Sequence, residues 1–534
     1  MAALALGAGS LFGRSVDVLA VSDPLVGATL ALAYPEPARP PAASGRPVDV
    51  RIDGRRPRAK LDERFLSVAL DTSEVLGGRW WGANASHIEI GRGDARTTPF
   101  DFARPRLLQL ASALAPAYLR VGGTEADFVY YAPGAPQAPP PGYELVLTRE
   151  RWDAVNTFAR ASGFDLLFTV NAGAGPRGPD GRWTSANADS LLEYTREAGY
   201  QVPVWELGNE VDAYWFTQGI SRRVSGRQYA DDLARFRSRV RAVFPRAKVA
   251  GPAAFYWPVT GEGSLFSDFM REFLEAGGSD VDIVTWHFYP QQSRRCPLAT
   301  RRASTTGLLD PTALDEAGKW ADAIEAMTAA RAPNARLWLD ETGNAQCGGE
   351  PGVSDRFVSS LWWVDELGLA ASHGQNVVVR QTLAGSNYGL IDDETLAPNP
   401  DYWASLLWKR SMGRVVLGVS ASGDDASVRA YAHCAPEGKG GVSLLLVNLH
   451  RDSGARVRVA GDGVTAARLF LVSSPSLSSP EVYLNGKPLR FDGALPVIEP
   501  SEQGVPGGIV NLPAASYAFV VLPDAGAEAC AASL

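Results

Sequence analysis

Two short segments of this chain close an apolar run on a carboxylate. Pro203-Val204-Trp205-Glu206-Leu207-Gly208-Asn209-Glu210 ends in Asn-Glu, and Leu337-Trp338-Leu339-Asp340-Glu341-Thr342 ends in Asp-Glu. Carboxylates at the ends of different strands can face each other across a cleft. At about 5 to 5.5 Å separation, one protonates a leaving oxygen while the other attacks the anomeric carbon, the arrangement of a retaining glycosidase. The alternative is that each is a solvated strand end. Two neighbours favour chemistry: Asn209 can bind a sugar hydroxyl beside Glu210, and Tyr289, closing Trp286-His287-Phe288-Tyr289, can hydrogen-bond a nucleophilic carboxylate. Glu206 shares a strand face with Glu210, about two side-chain repeats deeper, so it is expected to be buried and paired. Asp340 alternates with Glu341, so only one of the two is expected to point into the cleft.

Such residues need rigid strands to hold them. From FLSVALD through AYLRVGG, DLLFTVNAG, PVWELGNE, KVAGPAAF, DIVTWHFYP and RLWLDETG to NVVVRQTL, β-rich runs alternate with amphipathic stretches such as RWDAVNTFARAS and YADDLARFRSRVRAVF. That rhythm predicts parallel strands with crossover helices, an α/β (β/α)8 barrel whose active site lies at the strands' C-terminal ends. An open doubly wound sheet is the alternative, but no GxGxxG or GxxxxGK[ST] loop supports it. After about Met412 the runs RVVLGV, SVRAYAH, VSLLLVNL, RVRVA, ARLFLVS and YAFVVL follow one another without helices, the pattern of an antiparallel β-sandwich. The expected division is a tail over 1–46, a strand joining the sandwich over 47–65, a barrel over 66–410 and the sandwich over 411–534.

The 534 residues carry 46% hydrophobic and 21% charged side chains, a globular balance with room for two domains. A net charge of −8 argues against binding nucleic acid through the overall field. No apolar run approaches the roughly 18 residues of a membrane-spanning helix. Ala2–Gly13 reads either as the apolar part of an export signal, without the usual preceding Lys or Arg, or as plain tail. The five histidines form no HExxH or His-x-His pair, and the four cysteines lack CxxC spacing, so neither a metal site nor a cofactor is expected. An even cysteine count suits disulfides in an exported protein.

The ordered stretches FLSVALD, SALAPAYLRVGGTEADF, GFDLLFTVNA, YQVPVWELGNE, VDIVTWHFYP, RLWLDETG, VVVRQTLAGSNYGLIDDETLAPNPDYWASLLWKR and NLPAASYAFVVLP resemble the heparanases of glycoside hydrolase family 79, from about Pro47 to the C-terminus. The resemblance implies a retaining hydrolase of β-D-glucuronide linkages in heparan sulfate-like glycans, secreted or periplasmic and monomeric, with Glu210 as acid/base and Glu341 as nucleophile. It implies uronic acid contacts from Asp71, Thr124, Asn209, Tyr289, Gln381 and Tyr388, with the Cys347-Gly348-Gly349 turn offering backbone N–H groups to the sugar carboxylate. YAHC and the tail AEAC imply a disulfide from Cys434 to Cys530. Cys296 and Cys347 both follow barrel strands at the active face and are expected to form a second.

Departures from the family bear on substrate. Animal heparanases have glycine where this chain has Asp340, a candidate to raise the pKa of Glu341, and glycine where it has Cys347. Their excised linker shrinks here to about 20 residues around YAPGAPQAPPPGYE. After Glu210 the chain reads VDAYWFTQG, aromatic where a lysine is expected, although Arg222, Arg223, Arg227, Arg294, Arg295, Arg301 and Arg302 could meet sulfate. An exo-acting glucuronidase on unsulfated glycans and a catalytically inactive glycan-binding relative are the competing expectations.

Overall fold

Eight apolar runs become eight parallel strands that close on themselves. The structure is a computed structural model describing residues 17–18, 47–81, 88–89, 92–93, 95–134, 138–264, 267–422, 425–460, 466–504 and 508–531. The expected tail falls outside these residues, apart from Asp17–Val18, which pair antiparallel with Leu298–Ala299.

After a first strand, β1 (Val48–Lys60), the barrel strands are β2 (Leu66–Asp71), β3 (Ala117–Gly122), β4 (Phe164–Val170), β5 (Val204–Leu207), β6 (Lys248–Trp257), β7 (Ile283–Phe288), β8 (Arg336–Thr342) and β9 (Val377–Arg380). Each pairs in parallel with its sequence neighbours, and β9 closes on β2. The crossover helices are α1 (Pro105–Ser112), α2 (Arg149–Ser162), α3 (Ala186–Glu197), α4 (Gly226–Val243), α5 (Phe269–Gly277), α6 (Glu316–Arg331), α7 (Phe357–Ser372) and α8 (Pro400–Ser411). Local signals set their ends: the Thr148 hydroxyl accepts from the Arg151 N–H at the start of α2, and Gly163 ends it in the left-handed region at φ 77°.

Inward-facing residues of a barrel stack in layers. Here Leu167, Val204, Ile283 and Trp338 belong to one apolar cluster at the bottom, with Tyr118 against it. Two residues further along the same strands come Thr169, Glu206, Thr285, Asp340 and Arg120, all buried. Period-two alternation therefore lifts the barrel from a hydrocarbon plug to a charged layer beneath the active face.

Apart from short two-stranded ribbons, the remaining described strands form one eleven-stranded sheet in which β1 pairs antiparallel with β10 (Val415–Ala421) and parallel with β11 (Ala455–Ala460). Val50, Leu417, Leu444, Leu446, Val457, Val510 and Val520 share one core, so the sheet folds over on itself as a sandwich. The alternate residues Leu445, Val447, Tyr517 and Phe519 pack into the barrel's core instead. Between sheet and barrel lies α7, buried at every position from Phe357 to Ala371, so its polar residues need partners. Arg429 at 3.0 Å and the Tyr431 hydroxyl at 2.7 Å both bond Asp365 of α7.

The two expected disulfides, Cys434–Cys530 and Cys296–Cys347, are both formed. The first closes the sandwich; the second joins the loops after β7 and β8.

Candidate active site

Glu210 is aimed by its backbone. It sits at φ 50° in the left-handed region, which disfavours a side-chain-bearing residue by about 1 to 2 kcal/mol. Three successive N–H groups hold the turn: Gly208 donates to the Val170 carbonyl at 2.8 Å, Asn209 to the Asp127 carboxylate at 3.0 Å and Glu210 to the Ala253 carbonyl at 3.0 Å. Ala253 is available because the register between β6 and β7 slips by one residue there.

Glu341 is aimed by a different irregularity. Trp286 pairs with Leu339, but His287 pairs with Glu341, so Asp340 is an extra residue in β8. Of the pair only Glu341 lines the cleft, and the bulge, not simple alternation, separates the two: Asp340 projects into the charged layer and Glu341 into the cleft above it. Asp340 lies 3.5 Å from Arg120 Nε and 3.4 Å from His287 Nε2.

Arg120 organises the floor. Its guanidinium donates to Glu206 Oε2 at 2.9 Å, to Asn209 Oδ1 at 2.9 Å and to Glu341 Oε2 at 2.8 Å. The other Glu341 oxygen accepts from the Tyr289 hydroxyl at 2.8 Å. Glu206 is buried and paired as its depth implied, also accepting from Thr169 and Thr285. Burial would raise its pKa, but Arg120 and hydrogen bonds from Asp340 and Thr169 outweigh that and hold it below the usual carboxylate range. Asp340 goes the other way: burial, then the negative charge of Glu206, pushes it well up.

Glu210 faces this arrangement from the opposite wall. One of its oxygens, one of Glu341 and a ring nitrogen of His287 lie within 4.8 Å of one another. Burial first, then the charge of Glu341, raises Glu210 well above the carboxylate range. Its contact is His287 Nδ1 at 3.1 Å, on a ring that burial keeps neutral. This trio is the one cluster of metal-ligand type among the described residues, but Tyr289 and Arg120 already engage both Glu341 oxygens, and the guanidinium supplies the positive charge.

The cleft brings together most of the residues singled out in the sequence. Asp71, Thr124, Glu210, Tyr289, Glu341, Cys347, Gln381 and Tyr388 all line it, in a space of about 780 Å³ that includes its opening to solvent. Asp71 accepts from the N–H and hydroxyl of Ser73 and faces Gln381 Nε2 at 3.4 Å; burial lifts its carboxyl to about 8. Asn209 and Gly348 stand behind the lining. The Asn209 carbonyl oxygen is taken by Arg120 and the Gly123 N–H, and a side chain at Gly348 would strike the Trp81 carbonyl. Cys347, Gly348 and Gly349 all have positive φ, but the Gly349 N–H is bonded to the Ala345 carbonyl.

Four of the seven arginines considered for sulfate are engaged by neighbouring segments. Arg294 pairs with Glu350, and Arg301 with Glu316 at 2.9 Å. Arg295 holds the Gly349 carbonyl at 2.9 Å and Asn387 at 2.6 Å, and Arg302 holds the carbonyls of Ser293 and Cys296. Sequence reasoning missed Arg120, His287 and Asp127. An arginine inside the apolar run AYLRVGG was the available signal for the first, because a charge there must be paired.

The sequence model of the glycosyl hydrolase family 79 N-terminal domain matches residues 47–368. Heparanase-like protein 1 of Arabidopsis thaliana is 30% identical, covering 92% of this chain and 96% of its own, and mouse heparanase is 32% identical, covering 90% and 94%. A mouse protein named inactive heparanase-2 is 27% identical, covering 90% and 89%. In fold, the chain is similar to a GH51 arabinofuranosidase from Xanthomonas axonopodis pv. citri, with a TM-score of 0.64 at 17% identity over 89% of this chain and 99% of that one.

Proposed function

The chain belongs to glycoside hydrolase family 79, and on that premise we propose that it is a retaining hydrolase of β-D-glucuronide linkages, with Glu341 as nucleophile and Glu210 as acid/base. The observation that carries this reading is the asymmetry of the pair. Glu341 receives a guanidinium and a tyrosine hydroxyl, while Glu210, within 4.8 Å of it, is kept protonated. An oxygen of each within 4.8 Å fits the short separation of a retaining pair better than the about 6.5 to 9.5 Å between the carboxyl groups of an inverting one.

In the first step a Glu341 oxygen bonds the anomeric carbon as the glycosidic oxygen departs with the Glu210 proton. The ester that forms removes the charge on Glu341. Since that charge helps hold the Glu210 pKa up, the pKa falls in the intermediate, as its second task requires. Glu210, now a carboxylate, takes a proton from water, whose oxygen attacks the same carbon and releases Glu341. Asp71, Thr124, Gln381 and Tyr388 face the space where the uronic acid would sit, and a neutral Asp71 can donate to a sugar hydroxyl or to the uronate carboxylate.

The catalytic unit is then the barrel over 66–410, braced by the sheet of 47–65 and 411–534. Two disulfides fit action outside the cytoplasm, on a glucuronate-bearing oligo- or polysaccharide. NMR of the first product formed from an aryl β-glucuronide tests the reading: β-glucuronate appears before mutarotation if configuration is retained, and α-glucuronate would contradict it. Tight oligosaccharide binding without turnover would instead identify an inactive relative.

A further inference from the structure

We propose that the leaving-group side of the cleft accepts an unsulfated, uncharged group with an apolar face, either a sugar ring or an aromatic aglycone; this rests on the glucuronidase reading above. The cleft has two unlike ends. The strands β2, β3 and β9 bring Asp71, Thr124 and Gln381, where a uronic acid fits, beside the aromatic cluster of Trp80, Trp81, Tyr289 and Tyr388. The other end adjoins Glu210, which delivers the proton to the departing oxygen, and it is built from Trp215, Phe216, Phe255 and Trp257.

These aromatics are fixed by the elements that place Glu210. Trp215 and Phe216 belong to the single helical turn Tyr214–Thr217 just after it, with ring centroids 5.6 Å apart. Phe255 and Trp257 end β6, the strand beside β5, with centroids 5.7 Å apart. Asp212 accepts from the Phe255 N–H at 3.1 Å, and the Trp215 indole N–H donates to the Gly263 carbonyl at 3.2 Å. Trp215, Phe216 and Trp257 remain half-buried, so part of each ring is open for a ligand to cover.

Charge points the same way. No lysine or arginine is among the described lining residues, whose acidic groups are Asp71, Glu210 and Glu341. The nearby arginines at 294, 295, 301 and 302 are engaged by carboxylates, carbonyls and an amide, and Arg120 is sealed in the floor. A sulfate ester cannot shed its charge, so each one brought here finds no cation among the described lining residues. The net charge of −8 also repels a densely sulfated chain more strongly than a sparsely charged one during approach. Arg223 lines the next groove, beyond Trp215, and is where a sulfated chain would find a cation if this assignment were wrong.

The test compares kcat/KM of the full chain on an aryl β-glucuronide, on unsulfated glucuronate–N-acetylglucosamine polymer and on heparan sulfate. The expected result is cleavage of the first two, with heparan sulfate at least about tenfold slower. Trp215→Ala should then lower kcat/KM on the unsulfated polymer by at least about tenfold, with Trp215→Phe restoring most of it and both variants melting with the parent. Faster cleavage of heparan sulfate than of the unsulfated polymer, or an inert Trp215→Ala, overturns the leaving-group assignment and leaves the glucuronidase standing. Absence of turnover on all three overturns both.

Discussion

The strand ends carrying Glu210 and Glu341 bear the same residue at similar burial, 8% and 6% exposed, yet they differ in what surrounds the carboxyl. Glu341 rides on a bulge and receives Arg120 and Tyr289. Glu210 sits in a left-handed turn beside a neutral histidine, facing the charge of Glu341. The difference teaches that the division of labour is set by one guanidinium and one strand irregularity. Arg120 sits where Glu206 and Glu341 can share it, which leaves Asp340 and Glu210 to stay protonated.

The largest break comes from removing either carboxyl. Glu341→Gln should lose at least about 10⁴-fold in kcat on every substrate. Glu210→Gln should lose about 10² to 10⁴-fold on glycan substrates but much less on an aryl glucuronide whose leaving group departs unprotonated. Equal losses on both substrates would erase the distinction.

Next in size is Arg120→Met. It leaves Glu206 buried without its cation, and chemical denaturation should show a loss of about 3 to 5 kcal/mol. A stability change within 1 kcal/mol would mean that the floor repacks easily.

Acidity sharpens the contrast in solution. Glu210 must be protonated for the first step, so kcat should persist above the usual carboxylate range and fall as pH rises through the Glu210 pKa. In Glu341→Gln that pKa should drop, since a like charge is gone; carbon NMR of labelled glutamate measures it. Stability should follow the same sign. Burial raises Asp127 to about 6, Asp212 to about 7 and Asp71, Glu74, Glu262 and Glu366 to about 8. Between pH 4 and 8 the folded state therefore holds more protons than the unfolded chain, and the melting temperature should fall as pH rises across that window. A rise there would contradict these assignments.

The smallest effect is expected from Asp340→Asn. A neutral carboxyl and an amide are close substitutes, so the change should cost under about 1 kcal/mol at acidic pH. Because Asp340 loses its stabilising contribution as pH rises through its raised pKa, the variant should gain on the parent as pH increases.

Much of this was legible in the sequence. Alternating runs marked all eight barrel strands, and Asn209-Glu210, Tyr289 and Glu341 were visible as strand ends. The bulge at Asp340 was not legible, because it is a relation between two strands and period-two counting along one strand does not contain it. Arg120 and His287 escaped for a related reason: each lies inside an apolar run, and its role depends on side chains that distant segments bring beside it. The loop arginines looked available for sulfate because their partners, such as Glu316 at the start of α6 and Glu350, lie on other segments of the chain.

Covalent trapping tests the central claim most directly. The full chain, incubated with a slow-turnover 2-fluoro-glucuronosyl fluoride and digested, should yield one peptide heavier by the fluoroglucuronosyl group, with the label on Glu341. A label on Glu210 or Asp340, or stoichiometric turnover that leaves no adduct, would contradict the assignment of Glu341 as nucleophile.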